Sequence, residues 1–190
     1  MPNPTGDAKA GMSFHDYCVG SVDTCVSNGL DRAAAEGVVG VVTEFGATTD
    51  ATRLTALTDR FDDHMASWMF WSEPQKQTPD HPQEPPTGPN LMDPAIVRPC
   101  PQAVAGTPQQ WNYDTTTGTF TLQYSTRRAD SGRPFAPGVV TEVNLPQSNY
   151  PDGYQVEVQG AEVVSPPDAR ILRLTTTPGQ DTVQVTVARR

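Results

Sequence analysis

The hydrophobic pattern changes once along the chain, and this change is the strongest constraint on the fold. Before residue 74, apolar runs alternate with helical patterns. From Trp111 onward, short segments alternate apolar and polar residues with period two, with turn residues between them. The first pattern is typical of βα units around a parallel sheet, and the second of an antiparallel β-sandwich. We therefore expect an α/β domain over residues 1–97 and an all-β domain over residues 98–190.

The first part predicts the order strand, helix, strand, helix, strand. The run "VVGVVTEF" has no polar alternation, which is typical of a parallel strand with both faces covered. Asp50 is placed to cap the second helix, and Gly37 to close the first. Three strands do not protect both faces and both edges of a parallel sheet, so we expect this domain to be incomplete. The predicted elements are strand 11–19, helix 30–37, strand 38–45, helix 51–66 and strand 67–73.

The second part predicts strands alone. Five segments alternate with period two, and they are separated by turns such as "PDG" and "TPGQ". Residues 74–110 are rich in proline, so we expect a long loop followed by a linker there. The predicted strands are 119–125, 138–146, 154–164, 170–177 and 181–188.

Composition and charge exclude several classes of function. Apolar residues make up 36% of the chain and charged residues 18%, which does not indicate a disordered chain. The net charge of −9 repels phosphate backbones, so we expect no nucleic-acid partner. No stretch approaches the roughly 20 apolar residues of a membrane span. The opening "MPNPTGDAKAG" has no apolar core, so we expect no signal peptide in this chain.

The three cysteines leave two interpretations open. Cys18 and Cys25 are close enough along the chain to close a short loop through a disulfide, which forms in an oxidising compartment. Two unpaired thiols are the alternative. No cysteine and histidine spacing matches a zinc site, and neither a metal nor a cofactor is implied.

Chemically active side chains fall where the parallel strands end. Glu44 ends the buried run, Trp71 lies at the end of the next strand, and His15 and Tyr17 lie at the end of the previous one. Because residues i and i+2 of a strand point the same way, His15 and Tyr17 face one cavity while Asp16 faces away. An acid, a phenol, an imidazole and an indole gathered at a strand rim indicate a sugar site. The alternatives are a structural acid at Glu44, paired with an arginine, and a core tryptophan at Trp71.

At these residues the sequence resembles glycoside hydrolase family 5. The resemblance rests on the strand ends "FHDY", "TEFG" and "WMFW", in that order, on the linker "RPCPQAVAGTP" and on the sandwich that follows. Within the family it is similar to the endoglycoceramidases and related glycosylceramidases. It spans essentially the whole chain, and it matches the last third of the family's catalytic domain (strands 6 to 8 of a (β/α)8 TIM barrel) together with the β-sandwich.

The resemblance implies a retaining hydrolase that acts by double displacement, and it assigns a role to each candidate residue. Glu44 matches the nucleophile, and Tyr17 matches the tyrosine that orients it. His15 matches a histidine that lines the same subsite. Trp71 matches the tryptophan beneath the sugar to be cleaved, and Trp68, nearer the strand start, is the weaker candidate. The implied substrate is a glycosphingolipid, cleaved between oligosaccharide and ceramide.

The chain departs from the family in one respect. Retaining hydrolysis needs a second carboxyl group roughly 5 Å from the nucleophile. In the family this acid follows an asparagine, and no "NE" pair occurs in this sequence. We therefore expect the chain to hold the nucleophile half of the site and to be inactive alone. Two alternatives stay open: a cellulase-like or β-glucosidase activity on soluble glycans, and a non-catalytic remnant that binds carbohydrate or lipid.

The resemblance also implies a secreted, extracellular parent protein. In the similar enzymes the sandwich lies beside the barrel, and we expect it to help present a lipid-anchored substrate through peripheral contact with lipid. Trp111, Tyr150 and Tyr154 are the aromatic side chains that we expect to be exposed for this contact.

Overall fold

The computed structural model describes residues 10–17, 20–46, 48, 50–71 and 94–190. The chain divides into two compact units, Met1–Ile96 and Val97–Arg190. The first unit contains a parallel three-stranded sheet and two helices that connect its strands. In chain order its elements are β1 (Gly11–Asp16), α1 (Val22–Ala35), β2 (Val39–Gly46), α2 (Ala51–Asp63) and β3 (Ser67–Trp71). The sheet order is β1-β2-β3, and both pairings are parallel.

Helix α1 begins earlier than the predicted helix 30–37. The Ser21 hydroxyl accepts a hydrogen bond from the Thr24 backbone amide at 3.3 Å, which caps the helix at its amino end. The helix ends at Ala35 with Glu36 as its cap, and Gly37 then takes a φ of +66°. Glycine adopts this left-handed conformation at little cost, so Gly37 closes the helix as expected.

Helix α2 begins at its predicted cap. The Asp50 carboxylate accepts hydrogen bonds from the backbone amides of Thr52 and Arg53 at 3.0 and 3.2 Å. Met65 does not share the buried helix face, because α2 ends at Asp63 and Met65 has a φ of +51° and a 41% exposed side chain. Neither helix among the described residues is long and apolar enough to cross a membrane. The apolar side chains on the buried face are those of Leu54, Leu57 and Phe61, and Thr58 and Asp62 are buried with them.

The helices cover one face of the parallel sheet. Side chains from both helices pack there against Val42 and Phe45 of β2, which are both fully buried. Trp68 and Phe70 of β3 join the same cluster. The opposite face carries exposed or half-buried side chains, and we call it the open face. Its members at the described strand ends include His15, Tyr17, Glu44, Met69 and Trp71.

The second unit contains two four-stranded antiparallel sheets with orders β4-β7-β10-β9 and β5-β6-β11-β8. Alternate residues of β6 and β11 are buried, as period two requires. Val143 and Leu172 of the other sheet belong to the same hydrophobic cluster, so the two sheets share one core. The strands are β4 (Cys100–Ala103), β5 (Thr107–Asp114), β6 (Thr119–Ser125), β7 (Val140–Asn144), β8 (Tyr154–Gln159), β9 (Ala161–Val163), β10 (Ile171–Thr176) and β11 (Thr182–Arg189).

The predicted linker is wrong over its last part, because residues 100–110 contribute to β4 and β5. Pro101 and Pro108 each lie beside an irregularity in the strand register, where a residue without a backbone donor is tolerated. The single predicted strand 154–164 is divided at Gly160, whose φ is +79°. Its two parts, β8 and β9, lie in different sheets. Residues 74–93 of the predicted loop, together with residues 72 and 73 of the predicted strand before it, lie outside the described residues.

The aromatic side chains that were expected at the surface of this unit are not exposed. Tyr150 and Tyr154 are 3% and 6% exposed, and Trp111 packs against the shared core. Trp111 in β5, Tyr150 in the loop before β8 and Tyr154 in β8 thus all contribute to the core of this unit. These three residues give no support to a contact with lipid.

Candidate functional site

The open face brings Glu44 next to the end of β1. The register of the β1–β2 pair places His15 directly opposite Glu44. Asp16 lies on the other face, where it is 5% exposed. The alternation of β1 therefore directs His15 and Tyr17 toward Glu44 and directs Asp16 into the core side of the sheet, as the sequence predicts.

Two side chains converge on one oxygen of the Glu44 carboxylate. The Tyr17 hydroxyl donates a hydrogen bond to Oε2 at 3.2 Å. His15 Nδ1 lies 3.3 Å from the same oxygen, within hydrogen-bonding reach when Nδ1 carries a proton. The rings of His15 and Tyr17 meet edge to face, with centroids 6.3 Å apart. The partners of Glu44 are thus a phenol and an imidazole, and the arginine of the structural alternative is not among its described contacts.

The two carboxylate oxygens of Glu44 are therefore not equivalent. Both contacts are made by Oε2, and Oε1 makes neither of them. The Glu44 side chain is 28% exposed, so it is partly covered but accessible from the open face. A partly exposed carboxylate that is held at one of its two oxygens has the geometry of a nucleophile or a base.

Trp71 lies at the end of β3, where it is paired with Gly46. Its side chain is 56% exposed on the open face. Trp68 points to the opposite face, with its ring centroid 5.3 Å from that of Phe45. The structure thus places Trp71, rather than Trp68, on the face that carries Glu44.

Sequence reasoning missed Thr43, which precedes the carboxylate. The Thr43 hydroxyl donates to the Phe14 carbonyl oxygen at 3.2 Å and so joins β2 to β1 beside the site. The available signal was a single hydroxyl inside the apolar run "VVGVVTEF".

Cys25 lies buried in α1 and is disulfide-bonded. Its predicted partner, Cys18, lies outside the described residues. A disulfide at Cys25 is typical of a protein that folds in an oxidising compartment.

The pKa of Tyr17 is raised above its ordinary value of 10.0. The larger cause is partial burial, and the hydrogen bond to Glu44 and the charge of that carboxylate act in the same direction. The phenol therefore keeps the proton that it donates to Glu44 throughout the neutral range. The stabilisation from this contact is fully present below pH 10.0 and is lost as the pH rises through the higher folded-state pKa.

An ultraviolet difference titration tests this assignment. The spectrum of the Tyr17→Phe variant is subtracted from that of the wild type across the alkaline range. We expect the difference to show one tyrosine whose midpoint lies above 10.0. A midpoint at or below that value would show that Tyr17 does not face the Glu44 carboxylate in solution.

Comparison with known proteins shows which proteins this chain is similar to. Residues 98–188 match the glycoside hydrolase family 5 C-terminal domain. Endoglycoceramidase I of Rhodococcus hoagii (strain 103S) is 33% identical over 163 residues, which is 85% of this chain and 30% of that protein. This chain thus spans less than a third of the curated relative that it matches.

Solved structures agree with this relationship. A lactosyl-enzyme intermediate of endo-glycoceramidase II from Rhodococcus sp. is similar with a TM-score of 0.66 and 25% identity. The similarity covers 94% of this chain and 41% of that one. A ganglioside GM3 complex of the same enzyme is similar with a TM-score of 0.62 and 26% identity, over 89% of this chain and 36% of that one.

Proposed function

Because this chain corresponds to the C-terminal part of a glycoside hydrolase family 5 enzyme, we propose that it contributes to a retaining glycosidase. The proposed substrate is a glycosphingolipid, cleaved between its oligosaccharide and its ceramide. The similarity to two endoglycoceramidases, one of them solved with a ganglioside, supports this substrate class. The chain supplies the nucleophile, Glu44.

The observation that carries the proposal is the convergence of Tyr17 and His15 on Glu44 Oε2. These contacts hold the carboxylate by one oxygen at the carboxyl end of a parallel strand, where active sites of βα folds gather. Oε1 then attacks the anomeric carbon. The bond from that carbon to the ceramide oxygen breaks while that oxygen takes a proton from a second carboxyl group, and a covalent glycosyl-enzyme ester forms. Water later hydrolyses the ester and regenerates the free carboxylate.

The neighbouring residues have separate roles in this proposal. Tyr17 keeps Oε2 in place through its phenolic proton. His15 lines the same subsite beside the nucleophile. The exposed indole of Trp71 offers a flat apolar face beneath the sugar ring.

The second carboxyl group comes, in this proposal, from a part of the catalytic domain that this chain does not carry. The sequence has no asparagine–glutamate pair, and the chain spans 30% of its curated relative. The open face also carries exposed apolar side chains, such as those of Met69 and Trp71, whereas parallel sheets are ordinarily covered on both faces. These observations support strands 6 to 8 of a TIM barrel, followed by a β-sandwich, as the architecture. The disulfide at Cys25 supports a secreted protein.

Covalent labelling tests the proposed chemistry. The native polypeptide that carries this sequence is treated with a 2-deoxy-2-fluoro glycoside, which forms a slowly hydrolysed ester with the nucleophile of a retaining glycosidase. After proteolysis, mass spectrometry is expected to find the label on the peptide that contains Glu44. A label on another carboxylate would remove Glu44 from this role. Binding of glycan with neither labelling nor turnover would favour the non-catalytic remnant.

A comparison of substrates distinguishes lipid-linked from soluble glycans. The native polypeptide is assayed with a glycosphingolipid in detergent and with a cello-oligosaccharide of equal sugar length. We expect kcat/KM to be at least about tenfold higher for the glycosphingolipid, a difference that modest extra contacts to the lipid supply. A preference for the cello-oligosaccharide would favour the cellulase-like alternative.

A further inference from the structure

Strand β2 contains one residue more than its neighbours just before the candidate nucleophile. In the pairing with β1, Phe14 lies opposite Val42 and His15 lies opposite Glu44, so Thr43 has no counterpart. In the pairing with β3, the register also shifts between Val42 and Phe45. The pairings of β2 with both neighbouring strands thus show the same extra residue in β2. This extra residue defines a β-bulge at Thr43 and Glu44.

The bulge changes which face Glu44 occupies. Val42 and Phe45 are both fully buried in the core beneath the helices, although they are three positions apart. In a regular strand, residues two apart share a face, so Glu44 would lie on the core side with Val42 and Phe45 would lie opposite. In the bulge, Thr43 and Glu44 together lie opposite a single residue of β1, which shifts the alternation by one position. Phe45 therefore points into the core, and Glu44 lies on the open face.

One side-chain hydrogen bond joins the bulge to the neighbouring strand. The Thr43 hydroxyl donates to the Phe14 carbonyl oxygen at 3.2 Å. Phe14 is the β1 residue at which the register shifts, and His15 follows it directly. A bulge interrupts the regular ladder of backbone hydrogen bonds, so a hydroxyl donor at this place restores a connection between the two strands. The bond therefore links the backbone beside Glu44 to the backbone beside its partner His15.

We propose that Thr43 is a positioning residue for the nucleophile. Its hydroxyl fixes the bulge in the geometry that directs Glu44 Oε2 to Tyr17 and His15. This inference rests on the proposed function for its effect on the reaction. A carboxylate displaced by a fraction of an ångström to one ångström loses much of its advantage in attack, so removal of the bond is expected to slow the covalent step about 10- to 100-fold.

Two substitutions of Thr43 distinguish the effect of its hydroxyl from the effect of its side-chain shape. Thr43→Val removes the donor and keeps a β-branched side chain that suits a strand. Thr43→Ser keeps the donor and removes the methyl group. The matched control is Thr58→Val, because the buried Thr58 hydroxyl also donates to a backbone carbonyl, that of Leu54 at 3.1 Å, but within α2. All variants are made in the native polypeptide that carries this sequence.

The first measurement is inactivation by the 2-deoxy-2-fluoro glycoside, resolved into the binding constant and the rate of covalent labelling. Thr43→Val is expected to lower the labelling rate about 10- to 100-fold, with binding changed by less than about twofold. Thr43→Ser and Thr58→Val are expected to label at nearly the wild-type rate. A wild-type rate for Thr43→Val would overturn the positioning role. A rate for Thr43→Ser as low as that of Thr43→Val would show that the hydroxyl alone does not sustain the labelling rate and that the effect follows the overall shape of the side chain, which would overturn the role equally.

The second measurement needs no turnover. The difference titration of Tyr17 is repeated in the Thr43→Val background, where Glu44 is expected to be released from Tyr17. The raised pKa of Tyr17 should then fall toward 10.0. If the wild type is not labelled at all, the proposed function is contradicted. The titration alone then tests whether Thr43 holds the Glu44 carboxylate against Tyr17. An unchanged midpoint in Thr43→Val would then overturn the inference.

Discussion

Glu44→Gln in the native polypeptide is expected to lower turnover by at least about 100-fold, since an amide cannot form the glycosyl-enzyme ester. Glutamine has the same shape and still accepts a hydrogen bond from Tyr17, so substrate binding should be nearly unchanged. Steady-state kinetics and a direct binding titration measure the two effects separately. Residual turnover above about 1% of the wild type would exclude Glu44 as the nucleophile.

The control for this experiment is Glu36→Gln, which makes the same chemical change at the carboxyl end of α1. Glu36 is half-buried and forms an ion pair with the more exposed Arg32 one turn away on the same helix. Such partly exposed i,i+4 pairs contribute only about 0–1 kcal/mol to stability, and Glu36 lies outside the candidate site, so the control should keep its turnover. A comparable loss in both variants would show that the effect of Glu44→Gln comes from the stability of the first unit and not from chemistry.

Phe45→Ala is expected to destabilise the first unit by about 3–5 kcal/mol. The Phe45 ring is fully buried. It contacts three other aromatic rings edge to face, those of Phe61, Trp68 and Phe70, with centroids 4.9, 5.3 and 5.6 Å away. Its removal leaves a cavity between the sheet and α2. Urea denaturation, with hydrogen exchange of the β2 amides, measures the loss in the free energy of unfolding.

The comparison variant is Phe135→Ala, in a loop of the second unit. Phe135 is half-buried, and the Arg128 guanidinium lies over its ring, 4.9 Å from the centroid. We expect this change to cost less than about 1 kcal/mol. A loss below about 1 kcal/mol for Phe45→Ala as well would show that the aromatic cluster does not hold β2 in place.

The order of elements in the first unit was predictable because each one has a local signal. Asp50 could be recognised as a cap, and the apolar run that ends at Glu44 as a buried parallel strand. The face on which Glu44 lies was not predictable from period two, because a continuous apolar run has no alternation that reveals a bulge. The alternation around Asp16 did show that His15 and Tyr17 share a face. The roles of these residues rest on the resemblance of the strand ends to a known family.

In the second unit the failures have specific physical causes. Strands β4 and β5 were missed because proline is rare within strands and Pro101 and Pro108 therefore indicated a loop. Irregularities in the strand register accommodate both proline rings. Tyr150 and Tyr154 were assigned to the surface, but their large rings complete the core between the sheets. The position of aromatic residues in a β protein depends on how sheets pack, and sequence spacing does not reveal that packing.

The contacts of Glu44 with His15 and Tyr17 cross from one strand to another and span 29 and 27 positions of the chain. Between these positions the backbone leaves the sheet, forms α1 and returns in parallel. Nothing local brings the three groups together, so the site assembles only after this long loop has closed, a step whose entropic cost slows folding. During refolding, recovery of the Tyr17–Glu44 contact therefore reports the late closure of the crossover, after α1 itself has formed. A single proteolytic cut between Cys25 and β2 would leave both strands intact and turn an intramolecular encounter into one that depends on concentration.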